Sequence, residues 1–319
     1  MAMISTLSAK SAALRLSFYG PGGTLFGIQI VNLLLTIMTL GIYSFWGKVR
    51  VRKYLYSQTE FSGDRFTYHG TGKELFIGAL KAFAIVIVFW VTVVVLAKLV
   101  GPMAVLLVYP VILVAIPYAL YGTMRYIMSR SSWRGIRFSF RGDLKECMKT
   151  YIGGVLLTLL TLGLYYPYFH TKMRRYWINN TYFGNIPFHY DGEGKDLFGS
   201  FVLAVLLTIP TLYLYWFWYA AKVGRYDWSR TKFSGGQFES TVTGGALLGL
   251  SLTNLLLLIL TLGLAFPWVI VRSLKFQFHY LTLHGELGLS KIQQDARGLR
   301  IGATGEELAG ALDVGSALG

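Results

Sequence analysis

The chain has 319 residues, 54% of them hydrophobic and only 14% charged, with a mean hydropathy of +0.50. An ordinary soluble chain is about one quarter charged, so the composition excludes intrinsic disorder and argues against a conventional soluble enzyme. Lys and Arg number 30 against 15 acids, and the basic clusters stand directly beside the apolar blocks. That placement suits anionic lipid headgroups and topology control, and no nucleic-acid partner is expected. The single cysteine, Cys147, excludes an intramolecular disulfide and a cysteine-based zinc cluster. Met1–Ser17 holds no apolar run with a cleavage site, so no removable signal peptide is expected.

A bilayer core takes about 20 apolar helical residues. Six blocks meet that length in chain order: Leu25–Trp46, Leu75–Ala97, Met103–Thr123, Tyr151–Phe169, Leu197–Ala220 and Ala246–Val271, none containing Asp or Glu. Gly101-Pro102 is a turn signal between the second and third. Most blocks end in aromatic residues followed by basic ones, as Tyr43, Phe45 and Trp46 precede Lys48, Arg50, Arg52 and Lys53. This is the interfacial aromatic-belt pattern.

The blocks belong to a repeating frame. Phe61-x-Gly63-x-x-Phe66 recurs at Trp133–Phe138, at Phe183–Phe188 with the glycine one place earlier as Gly184, and at Phe233–Phe238, with a faint copy at Leu283-x-Gly285, at spacings of 72, 50, 50 and 50. The same intervals connect Lys53-Tyr54, Arg125-Tyr126, Arg175-Tyr176, Arg225-Tyr226 and Lys275-Phe276. They also connect Thr39-Leu40, Thr161-Leu162, Thr211-Leu212 and Thr261-Leu262. Phe66-x-Tyr68-x-Gly70-x-Gly72-Lys73 matches Phe188-x-Tyr190-x-Gly192-x-Gly194-Lys195. Each unit reads as a short strand, a glycine turn, a membrane helix, a basic amphipathic continuation and a hairpin whose glycine supplies positive φ. The 22 extra residues of the long unit make about 33 Å of helix, one further crossing. The expected fold is an all-α integral membrane protein. It has about six transmembrane helices in five repeats of roughly 50 residues, with short β-hairpins in the connectors. Residues 16–288 form the repeat-built domain, between tails at 1–15 and 289–319, the second weakly ordered.

The run from Thr39 through Tyr54, the aromatic-glycine hairpin after it and Gly72-Lys73-Glu74-Leu75-Phe76 resemble the YjgN-like family of bacterial multi-pass inner-membrane proteins. The resemblance runs from about Ser17 to Gly288. It implies an inner-membrane protein of a Gram-negative bacterium, with no reaction and no assigned catalytic or binding residues to carry over.

Chemical motifs are sparse. Gly70-Thr71-Gly72-Lys73 and Gly192-Glu193-Gly194-Lys195 lack the first glycine and the Ser or Thr of a Walker loop, and each leads into an apolar helix. They read as helix entries, where Glu74 and Asp196 meet the helix dipole. His69, His170, His189, His279 and His284 lie on separate connectors without metal-ligand spacing. No nucleophile elbow and no intramembrane carboxylate pair occurs. No enzyme, metal or cofactor is therefore expected. Asn32 and Asn254 occupy one repeat position inside the first and last blocks, as intramembrane polar contacts between helices. Lys48, Arg50, Arg52, Lys53, Arg125, Lys172, Arg174 and Arg175 suit phosphate-bearing headgroups.

The function expected from these features is a non-enzymatic membrane module that binds lipid or a lipid-borne anion at headgroup level, as an envelope scaffold or accessory factor. The alternative is a channel or transporter for a small solute, without carboxylate-driven proton coupling. One crossing per unit makes successive units alternate in orientation. The connectors at 48–74, 123–150 and 222–245 then share a face with 17 Lys+Arg, against ten on the other, and the richer face is cytoplasmic.

Overall fold

The computed structural model describes residues 14–285, 287–288 and 292–294. A strand β1 (Leu14–Phe18) leads into helices α1 (Gly22–Met38) and α2 (Ser44–Gln58), followed by β2 (Thr59–Phe61) and β3 (Asp64–Tyr68). Helix α3 (Gly72–Val100), a 3₁₀ segment at Pro102–Leu107 and α4 (Val108–Arg130) precede β4 (Ser131–Trp133) and β5 (Ile136–Phe140). The order recurs with α5 (Leu144–Leu160), α6 (Tyr166–Asn179), β6 (Thr181–Phe183) and β7 (Ile186–Tyr190). Next come α7 (Gly194–Leu207), α8 (Tyr215–Ser229), β8 (Thr231–Phe233) and β9 (Gly236–Ser240). The last helix pair is α9 (Gly244–Leu260) and α10 (Phe266–Tyr280), ending in β10 (Leu281–His284).

The strands close into one antiparallel barrel, each pairing with its chain neighbours and β1 joining β10 to β2. This overturns the all-α expectation. Hairpins of three- to five-residue strands are marginal alone, and closure removes every edge. Alternating side chains place two members of each hairpin in the bore, paired as Leu16 with Phe61, Phe66 with Trp133, Phe138 with Phe183, Phe188 with Phe233, and Phe238 with Leu283. Rings on non-adjacent strands meet across it: Phe183 lies 5.6 Å from Trp133 and 6.1 Å from Phe233, centroid to centroid. The two aromatics of the recurring hexamer therefore build a common core.

The six-span expectation is overturned as well. Among the described residues only α3 and α4 are long and apolar enough to cross a membrane, at about 43 and 35 Å by helical rise. The other four apolar blocks each reverse midway. At their turns Leu40, Leu162 and Leu262 have φ of 50°, and the glycines after them 93°, 95° and 85°. In the fourth turn Leu212 and Tyr213 take φ of 48° and 66°. A threonine ties each turn together: Thr39 Oγ1 donates to the Leu35 carbonyl (2.7 Å) and accepts from the Tyr43 amide (2.9 Å). Thr161, Thr211 and Thr261 repeat both bonds. These hydroxyls satisfy backbone groups at an apolar tip, where Leu40, Leu162 and Leu262 are 92–95% exposed.

Every helix pair leaves the barrel from one strand and returns to another. All connectors are thus on one side, and orientation cannot alternate between units. Neighbouring pairs pack through α2–α3, α4–α5, α6–α7, α8–α9 and α10–α1 into a ring. Within the pairs bulk is exchanged: Gly47 faces Asn32, whereas Gly154 faces Phe169. The expected tails fall mainly outside the described residues. Of those described, Leu14 and Arg15 belong to β1, and Ile292 packs on the bore cluster. The Gln293 amide donates to Asn185 Oδ1 (3.0 Å), and Gln294 Oε1 accepts from the Arg137 amide (2.7 Å).

Candidate functional site: an apolar cavity with basic side chains

The apparent phosphate loops are helix entries. Thr71 and Glu74 form a reciprocal cap at the start of α3. A Cβ on Gly70 would stand 2.6 Å from the Tyr68 ring, and one on Gly72 2.5 Å from the Trp46 indole. Tyr168, Trp218 and Trp268 cover Gly194, Gly244 and Gly22 in the same manner. The glycines let an aromatic of one pair seat on the first turn of the next. The tyrosine of each Lys/Arg-Tyr dipeptide pins its own helix pair. The Tyr54 hydroxyl donates to the Pro21 carbonyl (2.9 Å), that of Tyr176 to the Asp143 carbonyl (2.7 Å), and that of Tyr126 to Glu74 (3.1 Å).

A cavity of about 1690 Å³ opens where α1, α2, α4, α9 and α10 meet the barrel. Leu16, Phe66 and Phe138 form its floor, so the aromatic bore closes it below. Its far end reaches Leu33, Ile259 and Leu264, each more than half exposed on the outer apolar surface. Among the described residues, Lys48 and Arg52 are the charged members of its wall, and none of those lining it is an acid. Arg52 Nη1 donates to the Tyr68 hydroxyl (3.4 Å) and stacks 5.9 Å above that ring. Lys48 lies 5.9 Å from the Phe45 ring. Gln29, Asn32, Ser273 and Gln277 add neutral polar groups.

The eight basic residues singled out in the sequence are not one cluster. Lys48 and Arg52 line the cavity; Arg50 and Lys53 are exposed and do not line it. Arg125 donates to the Tyr121 hydroxyl (3.4 Å), Lys172 to that of Tyr165 (2.7 Å) and Arg175 to the Gly192 carbonyl (2.8 Å). Arg174 pairs with buried Asp227 (3.2 Å). Asn32 Nδ2 donates to the Gly47 carbonyl (3.1 Å) and Asn254 Nδ2 to Ser273 Oγ (3.3 Å). The Oδ1 atom of each asparagine has no hydrogen-bond partner among the described residues.

Sequence reasoning missed the polar cluster around Asp227. His170 Nε2 lies 2.9 Å from Asp227 Oδ2, and the Tyr190 hydroxyl donates to Oδ1 (2.8 Å). Burial, reinforced by the Asp227 charge, pushes the Tyr190 hydroxyl far above the usual phenol range, so it stays a donor. The signal was present: Asp227 is the one acid at a frame position that elsewhere holds Leu55, Ile127, Trp177 and Gln277. Among the described residues no cluster of three His, Cys, Asp or Glu side chains has metal-binding geometry.

The chain is thus a small closed barrel that carries a ring of apolar helix hairpins. The chain matches "Bacterial protein of unknown function (DUF898)" over residues 13–217 and 200–311, and it belongs to that family. It is similar to proteins named "Inner membrane protein YjgN": 36% identical over 128 residues to that of Escherichia coli K12 and 33% over 131 residues to that of Salmonella typhimurium LT2. These alignments cover 40% and 41% of this chain but 31% and 32% of the relatives, so about a third of their length is matched. No solved structure matches the chain.

Proposed function

We propose that this protein is an inner-membrane module that binds an anionic amphiphile, with its chain in the cavity and its head beside Lys48 and Arg52. The carrying observation is the cavity wall, which is largely apolar, includes Lys48 and Arg52 among its described residues, and runs out to the exposed leucines of the hairpin tips. An apolar site with few convergent polar groups is the general form of a small-molecule site. Basic side chains at membrane depth are retained where they serve a ligand or a partner. Entry from the bilayer is favoured by the weak packing between α9 and α10 beside the cavity. The transport alternative has less support, since aromatic rings fill the bore beneath the cavity.

Protein purified in a mild neutral detergent should retain anionic lipid at close to one molecule per chain. Changing Lys48 and Arg52 together to Gln should lower that retention by roughly tenfold, the loss expected for charge-assisted hydrogen bonds. The exposed pair Arg50 and Lys53, changed to Gln, serves as the surface-charge control. Equal retention in all three proteins, measured by mass spectrometry of extracted lipid, would remove the reading.

The same reading places the barrel in the cytoplasm, with α3 and α4 crossing the membrane and the four shorter pairs entering and leaving from the barrel side. Lys98, beside the Gly101 turn, is the one described basic residue at a hairpin tip, and every other described Lys or Arg lies nearer the barrel. The positive-inside rule favours that orientation. With Cys147 changed to Ser, single cysteines at Lys73 and Lys195 should both resist an impermeant maleimide in intact cells and both react in inverted vesicles. Opposite reactivity of the two positions would restore the alternating arrangement and exclude the barrel.

A further inference from the structure

The end of the barrel away from the helices carries four hairpin turns, and β10 delivers the chain to that end. Ile292 is buried there against Trp133, Phe183 and Phe233, so one aliphatic side chain closes the mouth of the bore. The Gln293 amide donates to Asn185 Oδ1 (3.0 Å), and Gln294 Oε1 accepts from the Arg137 amide (2.7 Å). An apolar anchor in a pocket, flanked by hydrogen bonds that fix its direction, is how an extended peptide is recognised.

The repeat departs from its own pattern where this segment lies. In the first, second and fourth turns both central residues take positive φ: Ser62-Gly63, Arg134-Gly135 and Ser234-Gly235, at 47–50° and then 75–84°. In the third, Gly184-Asn185, only Gly184 does, at 59°, which is the pattern of a type II′ turn in place of type I′. The shifted glycine is what the segment requires. A Cβ on Gly184 would run into the Gln293 carbonyl oxygen and stand 3.1 Å from Ile292 Cγ2. The side chain gained at Asn185 is the acceptor for the Gln293 amide. The path from β10 is cleared in the same way. Gly236 opens β9 where Asp64, Ile136 and Ile186 open the other returning strands, and a Cβ on it would stand 3.0 Å from Leu283 and 3.3 Å from Leu287.

We infer that the hairpin mouth of the barrel is a peptide-docking site gated by the chain itself. Residues 292–294 fill it in cis, and their release opens the surface of Trp133, Phe183 and Phe233 to an extended peptide bearing an aliphatic residue followed by Gln-Gln. One anchor and two hydrogen bonds suffice in cis, because a short tether holds the segment at an effective concentration of about 1 mM. The inference is independent of the amphiphile reading, since the mouth and the cavity lie at opposite ends of the bore.

The test titrates the full chain in neutral detergent with a fluorescently labelled peptide of residues 287–298, followed by anisotropy. Ile292→Asp sets a carboxylate among the rings, which empties the seat. That variant should bind the peptide with a Kd on the order of 100 μM, and wild type, its seat filled, at least about tenfold more weakly. The same peptide carrying Ile292→Asp should not bind. Adding Gly184→Ser with Asn185→Gly to the Ile292→Asp chain installs the Ser-Gly turn of the first and fourth hairpins, which keeps the hairpin and removes both features that hold the segment. Peptide binding should then fall by about tenfold or more. No binding to the Ile292→Asp chain up to about 1 mM peptide overturns the inference. So does equal binding to that variant and to wild type.

A second arm leaves Ile292 in place. In the chain carrying only Gly184→Ser with Asn185→Gly, the Gln293 and Arg137 amides should exchange with deuterium at least about tenfold faster than in wild type, while the amides of the β6–β7 ladder keep their protection. Unchanged exchange at Gln293 overturns docking at this seat. A wild-type dimer that the same double change converts to monomer would seat the segment of a second copy and overturn gating in cis.

Discussion

Trp133→Ala should destabilise the fold by about 3–5 kcal/mol, the usual cost of emptying a buried aromatic site. Trp133 is 4% exposed and touches Phe61, Phe66 and Phe183, at ring-centroid distances of 5.4, 6.3 and 5.6 Å. Its indole Nε1 also donates to the Asp64 carbonyl (3.1 Å), fixing the neighbouring hairpin. Because the bore core is shared by hairpins that are marginal alone, the loss acts on the whole barrel and is not contained locally. Trp133→Phe restores the residue found at Phe61, Phe183 and Phe233 and should cost about 1 kcal/mol. Reversible unfolding in detergent by denaturant measures both. A Trp133→Ala protein within about 1 kcal/mol of wild type would mean that the rings do not form a packed core.

Gly154→Leu should be of similar severity, about 3 kcal/mol or more, through overpacking against the Phe169 side chain. Even a Cβ at Gly154 would run into the Phe169 ring. The first pair solves the same contact with the sizes reversed, setting Asn32 on α1 against Gly47 on α2. The double change Gly154→Asn with Phe169→Gly copies that solution and should recover folded yield and most of the stability lost by Gly154→Leu. Phe169→Gly alone leaves a cavity and should cost about 3–5 kcal/mol. Failure of the double variant to exceed that single one would show that the two pairs do not share a packing frame.

The basic residues illustrate what local pattern conveys and what it does not. Lys48, Arg50, Arg52 and Lys53 are indistinguishable as a juxtamembrane cluster, yet helical rotation turns Lys48 and Arg52, four apart, into the cavity and leaves Arg50 and Lys53 outside. Arg174 and Arg175 are adjacent in the chain, but one is drawn to Asp227 and the other to the Gly192 carbonyl. Composition shows that a basic aromatic surface exists. Which member of it faces the cavity depends on partners far away in the chain.

The sequence by itself determined the apolar character, the 50-residue frame, the basic and aromatic flanks, the hairpin glycines and the helix-entry role of Gly72 and Gly194. These are local: each follows from the conformational freedom of glycine, the period of hydrophobicity or the charge beside an apolar run. The tertiary structure alone decided that the hairpins close into one barrel, that the Thr-Leu turns reverse the chain and do not merely bend it, and that Asp227 meets His170, Arg174 and Tyr190. Hydropathy measures how much apolar surface a segment carries and is indifferent to its direction, so a reversing pair of short helices scores as one long one. Closure depends on pairings such as Leu14 with Leu283, between strands at opposite ends of the domain, whose energy is realised only when all the hairpins are in place.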